Sequence, residues 1–243
     1  CQENVMLART VNIGGMMSAA ISAKTAGIER FIFASSVAVY SSTAHEATEA
    51  DELNPTTIYG ECKKEAEKRI VQVLPSATIV RCASICGYSP HQRFDLTVNK
   101  MMNHAWHKGV VTVNGGEQRR CHIHMRDVTV FYKLLLKCPL SDIAGRVFNI
   151  VAENQSVLDT ASIVANATGA RIQIAPPTDN HSYLVSGTKA REILGFVPRH
   201  RVADAVEDMK VKFSAGYWKD SMSNESYQNI ARGIAAHQQA RVS

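Results

Sequence analysis

Tyr59 and Lys63 stand four residues apart in the run Tyr59-Gly60-Glu61-Cys62-Lys63, one helical turn from each other. Twenty-three residues before that tyrosine, Ser35 and Ser36 close the apolar run Phe31-Ile32-Phe33-Ala34. A hydroxyl, a phenol and an ammonium could converge on one point. A tyrosine with its ordinary pKa near 10 is a poor base at neutral pH. An adjacent ammonium favours the phenolate and lowers that pKa. The phenol could then take a proton from an alcohol, or return one to a carbonyl, while a hydride moves to or from a cofactor. The serine hydroxyl would hold the same substrate oxygen, and the lysine could also bond a cofactor ribose. Taken singly, each piece has a plainer reading. Tyr-x-x-x-Lys also arises as an exposed helix start, and Ser-Ser at a strand end as a cap or turn. Together, in this order, they are more specific.

The elements that must position these groups alternate. Residues 5–26 carry apolar residues at helical spacing and stop at Gly27. The run 28–36 reads as a strand buried on both faces, 41–57 as a loop, 59–74 as a helix and 77–85 as a second buried strand. This order predicts a parallel α/β sheet, in which ligands sit at the carboxyl ends of the strands. The second half is more mixed. Helices are expected over 95–108, 156–168, 187–195 and 202–213. Strands are expected at 110–118, ending in a Gly-Gly turn, and at 146–151 and 171–176. The tail after Tyr217 is polar with a weak helical pattern.

The 243 residues suffice for a real core, with 45% hydrophobic and 20% charged residues and a net charge of +5. Mild basicity suits an anionic small ligand. The basic residues are scattered without interleaved aromatics, which argues against nucleic acid. Six cysteines (Cys1, Cys62, Cys82, Cys86, Cys121 and Cys138) show no metal-type spacing and read as reduced thiols of a cytoplasmic protein. No run is long enough to span a membrane, and no signal peptide is visible. The pairs His104/His107 and His122/His124 lack a carboxylate or cysteine at useful spacing, so no metal is expected.

Several segments resemble the extended short-chain dehydrogenase/reductase family, in its nucleotide-sugar epimerase and dehydratase branch. Asn12-Ile13-Gly14-Gly15 resembles the family's Asn-Val-x-Gly helix segment. Residues 27–40 (GIERFIFASSVAVY) resemble the strand with the catalytic hydroxyl, which falls on Ser36. Pro55 to Lys63 resembles Pro-x-x-x-Tyr-Gly-x-x-Lys, and Glu67 suits the acidic position that follows. Residues 80–90 (VRCASICGYSP) resemble the segment beside nicotinamide and sugar, 115–128 (GGEQRRCHIHMRDV) the substrate-pyrophosphate segment, and 188–198 (TKAREILGFVP) a C-terminal signature.

The resemblance implies a Rossmann-type parallel sheet with a small mixed α/β C-terminal substrate lobe. Residues 1–90 would be the remaining part of the dinucleotide-binding domain. Residues 91–243 would hold the lobe, with a late strand at about 146–151 returning to the main sheet. It implies Ser36, Tyr59 and Lys63 as catalytic residues. Asn12, Ser35, Tyr59, Lys63, Ala83 and Ile85 would contact NAD or NADP, with NAD favoured. Ser36, Ser84 and Arg120 would contact a nucleotide sugar, Arg120 holding its pyrophosphate through a guanidinium fork. It also implies a homodimer through the helices at 5–26 and 59–74.

The departures are informative. The family's strand, Gly-x-x-Gly-x-x-Gly turn and helix do not occur in these residues, so the sheet is expected to be incomplete at its N-terminal half. Roughly 80 to 90 residues of the dinucleotide fold would be wanting at the front. Foldability favours a piece of a longer protein. A separate chain completing the sheet, or a truncated remnant unable to bind cofactor, are the alternatives. Ser84, Cys86, Cys121 and Ser186 replace the family's Asn, Tyr, Asp and Asp. A carbonyl or hydroxysteroid-like reductase therefore stands as the alternative to the sugar enzyme. Ser36-Val37-Ala38 lacks the acids of the 4,6-dehydratases, which disfavours dehydration against epimerisation, decarboxylation or reduction.

Overall fold

The structure is a computed structural model, which describes residues 4–40, 45–177 and 182–228. Cys1 and the part of the polar tail from 229 onward lie outside the described residues. The expected first helix comes in three pieces: α1 (Val5–Arg9), a π-helical turn (Thr10–Gly15) and α2 (Met16–Thr25). Two glycines, Gly14 and Gly15, weaken the regular helix where the ladder widens.

Three parallel strands make the main sheet, in the order β1 (Ile32–Ser36), β2 (Thr78–Cys82) and β6 (Val147–Ile150). The late strand thus lies beside β2 in the main sheet. Alternation of side chains assigns the faces. Phe33 and Ile79 pack on Ala66 and Ile70 of α3 (Ile58–Val73) and on Ala20 of α2. Val80, Phe148 and Ile150 pack on Val128, Phe131 and Leu135 of α5 (Met125–Lys137). Helices pack on both faces of the sheet, as near-continuous apolar strands require, and Ala34 near the end of β1 stays exposed. Arg30, just before β1, reaches the free carbonyls at the end of α5, donating to Leu135 and, at 2.9 Å, to Cys138.

The expected strand over 77–85 is two strands. It breaks at Ala83, and β3 (Ser84–Cys86) joins a second sheet with β5 (Arg119–His124) and β7 (Glu153–Ser156). No glycine or proline marks the break; Ala83 donates its N–H to Ile150 at 3.0 Å and so leaves β2 by following β6. Three elements were not foreseen as such: α5, β7, and β5 as a full strand.

The lobe holds α4 (Thr97–Lys108), α6 (Val157–Thr168), α8 (Val202–Ser214) and a parallel pair, β4 (Val110–Asn114) with β8 (Arg171–Ala175). Ser156 and Asp159 form a reciprocal cap at the start of α6, and Gly169 ends it at φ 75°. α7 (Thr188–Leu194) sits against the main-sheet core through Ala190. Trp218 and Phe213 anchor an aromatic cluster with Phe94, and Trp106 stacks on Phe213 at 5.4 Å.

Candidate active site

Adjacent residues of a strand face opposite sides, so Ser35 and Ser36 part company. Ser36, the last residue of β1, lies beside Cys82 of β2 on the α5 side. Its Oγ accepts from the Ala38 N–H at 3.2 Å and caps the short 3₁₀ turn Val37–Val39. Ser35 is buried and donates to Glu67 of α3 at 2.5 Å. Its hydroxyl is not in the group formed by Ser36, Tyr59 and Lys63.

α3 starts where the loop from Pro55 meets that turn. Thr57 caps it by accepting from the Gly60 N–H at 3.1 Å. Gly60 is required by close approach, because a Cβ there would stand 2.2 Å from the Ala38 carbonyl oxygen and 2.8 Å from Pro55. This contact brings Tyr59 to the end of β1. Tyr59 is 37% exposed, and its phenol lies close enough to the Ser36 hydroxyl for that group to favour its ionisation. Lys63 follows one turn later. Its Nζ donates to the Ala34 carbonyl at 2.8 Å and lies 5.6 Å from the centre of the Tyr59 ring. Ser36, Tyr59 and Lys63 therefore share one open corner at the carboxyl end of β1.

The electrostatics differ from the expectation. Loss of water contact pushes the Tyr59 phenol above its ordinary value; the Ser36 hydroxyl and the Arg93 charge work against that rise, and Cys82 adds to it. Lys63 does not depress it, because the ammonium is held at a backbone carbonyl and over the ring rather than at the hydroxyl. Desolvation also lowers the Lys63 pKa, with Glu67 opposing.

The other expected contacts spread around this corner. Asn12 sits on the π-helical turn, its Nδ2 donating to the Ala8 carbonyl at 2.9 Å. Ala83 is buried, and Ser84 and Ile85 are partly exposed on β3. Arg120, on β5, donates to the Arg119 carbonyl at 3.0 Å and stands 5.6 Å from the centre of the Tyr183 ring. The Tyr183 hydroxyl meets Thr56 Oγ1 at 3.2 Å, three residues before Tyr59. That chain of contacts connects Arg120 to the corner without direct touch. Two neighbours went unread in the sequence. Burial pushes up the phenol of Tyr132 on α5, and Cys82 and Tyr59 add to the rise. Cys82 itself was read only as one of six thiols. The helical spacing of Val128, Phe131, Tyr132 and Leu135 was the available signal for the first, and the strand register for the second.

A groove of about 630 Å³ lies beside α3, lined among others by Lys64, Glu67, Val71, Arg81 and Val147, and does not include Tyr59. Among the described residues no group of three or more His, Cys, Asp and Glu side chains could hold a metal ion. His107 bonds Ser221 at 3.0 Å. No described helix is long and apolar enough to cross a membrane.

Known proteins were compared with the chain. Residues 4–151 match the model of the NAD dependent epimerase/dehydratase family. A curated relative, the uncharacterized UDP-glucose epimerase YtcB of Bacillus subtilis (strain 168), is 26% identical over 200 residues. That alignment takes in 78% of this chain but spans only 62% of the relative. Among solved structures, MoeE5 in complex with UDP-glucuronic acid and NAD superposes with a TM-score of 0.73 at 25% identity, over 84% of this chain and 71% of that one. The UDP-glucuronic acid 4-epimerase of Bacillus cereus, in complex with UDP-glucuronic acid and NAD, gives 0.77 at 22% identity, over 86% and 68%. The second likeness speaks for the fold.

Proposed function

The chain belongs to the NAD dependent epimerase/dehydratase family, and from that premise we propose that it is the larger part of an NAD-dependent epimerase or oxidoreductase acting on a nucleotide-activated sugar. The observation that carries the reading is the meeting of Ser36, Tyr59 and Lys63 at the open end of β1. In this reading Tyr59 removes the proton of a sugar hydroxyl and returns it to the carbonyl. Ser36 holds that oxygen, and its hydroxyl eases ionisation of the phenol. Lys63 supplies the fixed positive charge nearby.

A nicotinamide cofactor suits the donor set present. The Lys63 ammonium stands 5.6 Å from the centre of the Tyr59 ring, and Ala34 beside it is exposed and presents only a methyl group. Bound there, such a cofactor supplies the acceptor and donor of hydride. Lys63, Tyr59, Asn12, Ala83 and Ile85 would hold its nicotinamide-ribose half. The glycine turn that grips the pyrophosphate in this family is not among the 243 residues, so we assign it to no residue here. UDP sugars and NAD are named with the neighbouring structures. Arg120 and Ser84 take the substrate's diphosphate and sugar in this proposal. The division into a cofactor part, residues 1–90, and a lobe-bearing part, residues 91–243, goes with it. So do a cytoplasmic location, consistent with thiols free at Cys62, Cys82, Cys86, Cys121 and Cys138, and a homodimer through the helical segment 5–26 and α3.

The decisive experiment is Tyr59→Phe in the full-length protein. Turnover should fall by at least 1,000-fold, on the order expected for loss of an acid/base group, with an unchanged melting temperature. Undiminished turnover would remove Tyr59 from the mechanism. A reductase of sugar-free carbonyl compounds is favoured by one observation: Cys86, in the place of the family's tyrosine, is buried and offers no hydroxyl. Thermal stabilisation by UDP-sugars separates the two, since only a sugar-nucleotide enzyme should respond.

A further inference from the structure

Ser35 of β1, Arg81 of β2 and Asn149 of β6 are register partners, so they form one row across the whole main sheet. All three are buried, on the side facing α3. The row is joined by hydrogen bonds. Glu67 accepts from Ser35 and, through both oxygens, from Arg81: Nη2 at 2.7 Å, and Nε at 3.1 and 3.2 Å. The Arg81 Nη1 donates to the Tyr40 hydroxyl at 2.8 Å, and that hydroxyl donates to Asn149 at 2.8 Å. Glu67 is 4% exposed and Arg81 5%. An ion pair so deep returns little net stability, because both charges have left water. What it does provide is geometry, since a two-toothed guanidinium fork tolerates little displacement.

The geometry concerns the active corner. Tyr59, Lys63 and Glu67 follow each other at four-residue steps on one stripe of α3. The row that grips Glu67 lies one residue before Ser36. Gly60 seats the start of the helix on Ala38, and Glu67 pins its middle to two strands. Helix and strand end are thereby fixed against sliding.

We propose that Glu67 is a positioning residue for the acid/base pair: gripped by Ser35 and Arg81, it sets the height of α3 along β1 and so the placing of Tyr59 and Lys63 relative to Ser36. It touches no substrate. The proposal rests on the Ser36–Tyr59–Lys63 reading. Its charge also reaches Lys63, which is faced by Glu67 and Cys62 of its own helix, by the Tyr59 and Phe33 rings and by the Ala34 carbonyl, with Arg81 behind Glu67. Removing the Glu67 charge lowers the Lys63 pKa further.

The test uses the full-length enzyme with NAD and three variants. Glu67→Gln should lower kcat by 10 to 100-fold, as expected for a misplacement of about 1 Å, while KM for the nucleotide sugar stays within about threefold. The alkaline limb of its pH profile should move to lower pH. Amide exchange over residues 57–63, followed by mass spectrometry without substrate, should quicken. Ser35→Ala keeps every charge, so it should lower kcat several-fold and leave the limb in place. A folded Glu67→Gln enzyme with wild-type kcat, pH profile and exchange would overturn the proposal. If Glu67→Gln does not fold, wild-type kcat in Ser35→Ala would do the same. Tyr59→Phe is run alongside. If it keeps full turnover, the acid/base reading fails; if it is dead while the Glu67 variants are normal, only the positioning role fails.

Discussion

His122 sits in β5 at 1% exposure, and neither ring nitrogen has a hydrogen-bond partner. Burial drives its pKa down to about 4, with Arg120 adding to the effect. Its folded pKa lies below the ordinary 6.5, so the neutral ring is the form the fold accepts. The stability this represents is fully present above pH 6.5 and is lost as pH falls through the folded value. A fall to about 4 corresponds to about 3 kcal/mol at full protonation. Urea unfolding at pH 7 and pH 4.5 should show a clear acid loss, and His122→Leu should make it shallower. Equal acid sensitivity in both proteins would exclude His122 as its source. At this scale type and spacing single out Tyr59, Lys63 and the Ser35-Ser36 pair, whereas the choice of Ser36 comes from the family resemblance. Ser35 is expected at the cofactor but turns toward Glu67 of α3, because neighbours on a strand face opposite sides. Cys82 and Tyr132 were not legible, because only the three-dimensional register brings them near Tyr59.

At the level of elements, the seam between α3 and the turn after β1 bears on activity. Gly60→Ala would press a methyl group into the Ala38 carbonyl. Backbone cannot yield as a flexible side chain does, so the first turn of α3 should lift, taking Tyr59 with it. We expect a loss of about 1–3 kcal/mol of stability and at least 100-fold in turnover. Unchanged kcat with lowered stability would confine the glycine to packing. α5 escaped the sequence reading although Val128, Phe131 and Leu135 recur at helical spacing. Strand β5 runs straight into it without Gly or Pro, and its cap is a histidine ring, His124 Nδ1, accepting from the Arg126 N–H at 3.0 Å. Side chains of this type are rare caps. The break at Ala83 was illegible for a similar reason: Ile79 to Cys86 is apolar throughout save Arg81 and Ser84, with no turn residue. By contrast Ser156 and Gly169 mark the two ends of α6 in the sequence.

For the molecule as a whole, the apolar outer side of α1, the π-helical turn and α2 is the exposed feature to explain. Met6 is 80%, Val11 57% and Ile21 51% exposed. Leaving such a surface in water is unfavourable by about 25 cal/mol per Å², and a second copy would cover it in the proposed dimer. Sedimentation should give a dimer for the wild type and a monomer for the pair Val11→Asp and Ile21→Lys. A dimer that survives both changes places the contact elsewhere.

Ala83 is the whole connection between β2 of the main sheet and β3 of the second. A joint of one buried residue allows tilt but no sliding. In the proposed function the proton-moving groups stand at the end of β1 and on α3, which packs on the main sheet, and the second sheet carries Arg120 on β5. On that proposal the span between reacting carbon and anionic end would be held as by a caliper, and ligands would be sorted by length before their charge or stereochemistry is read.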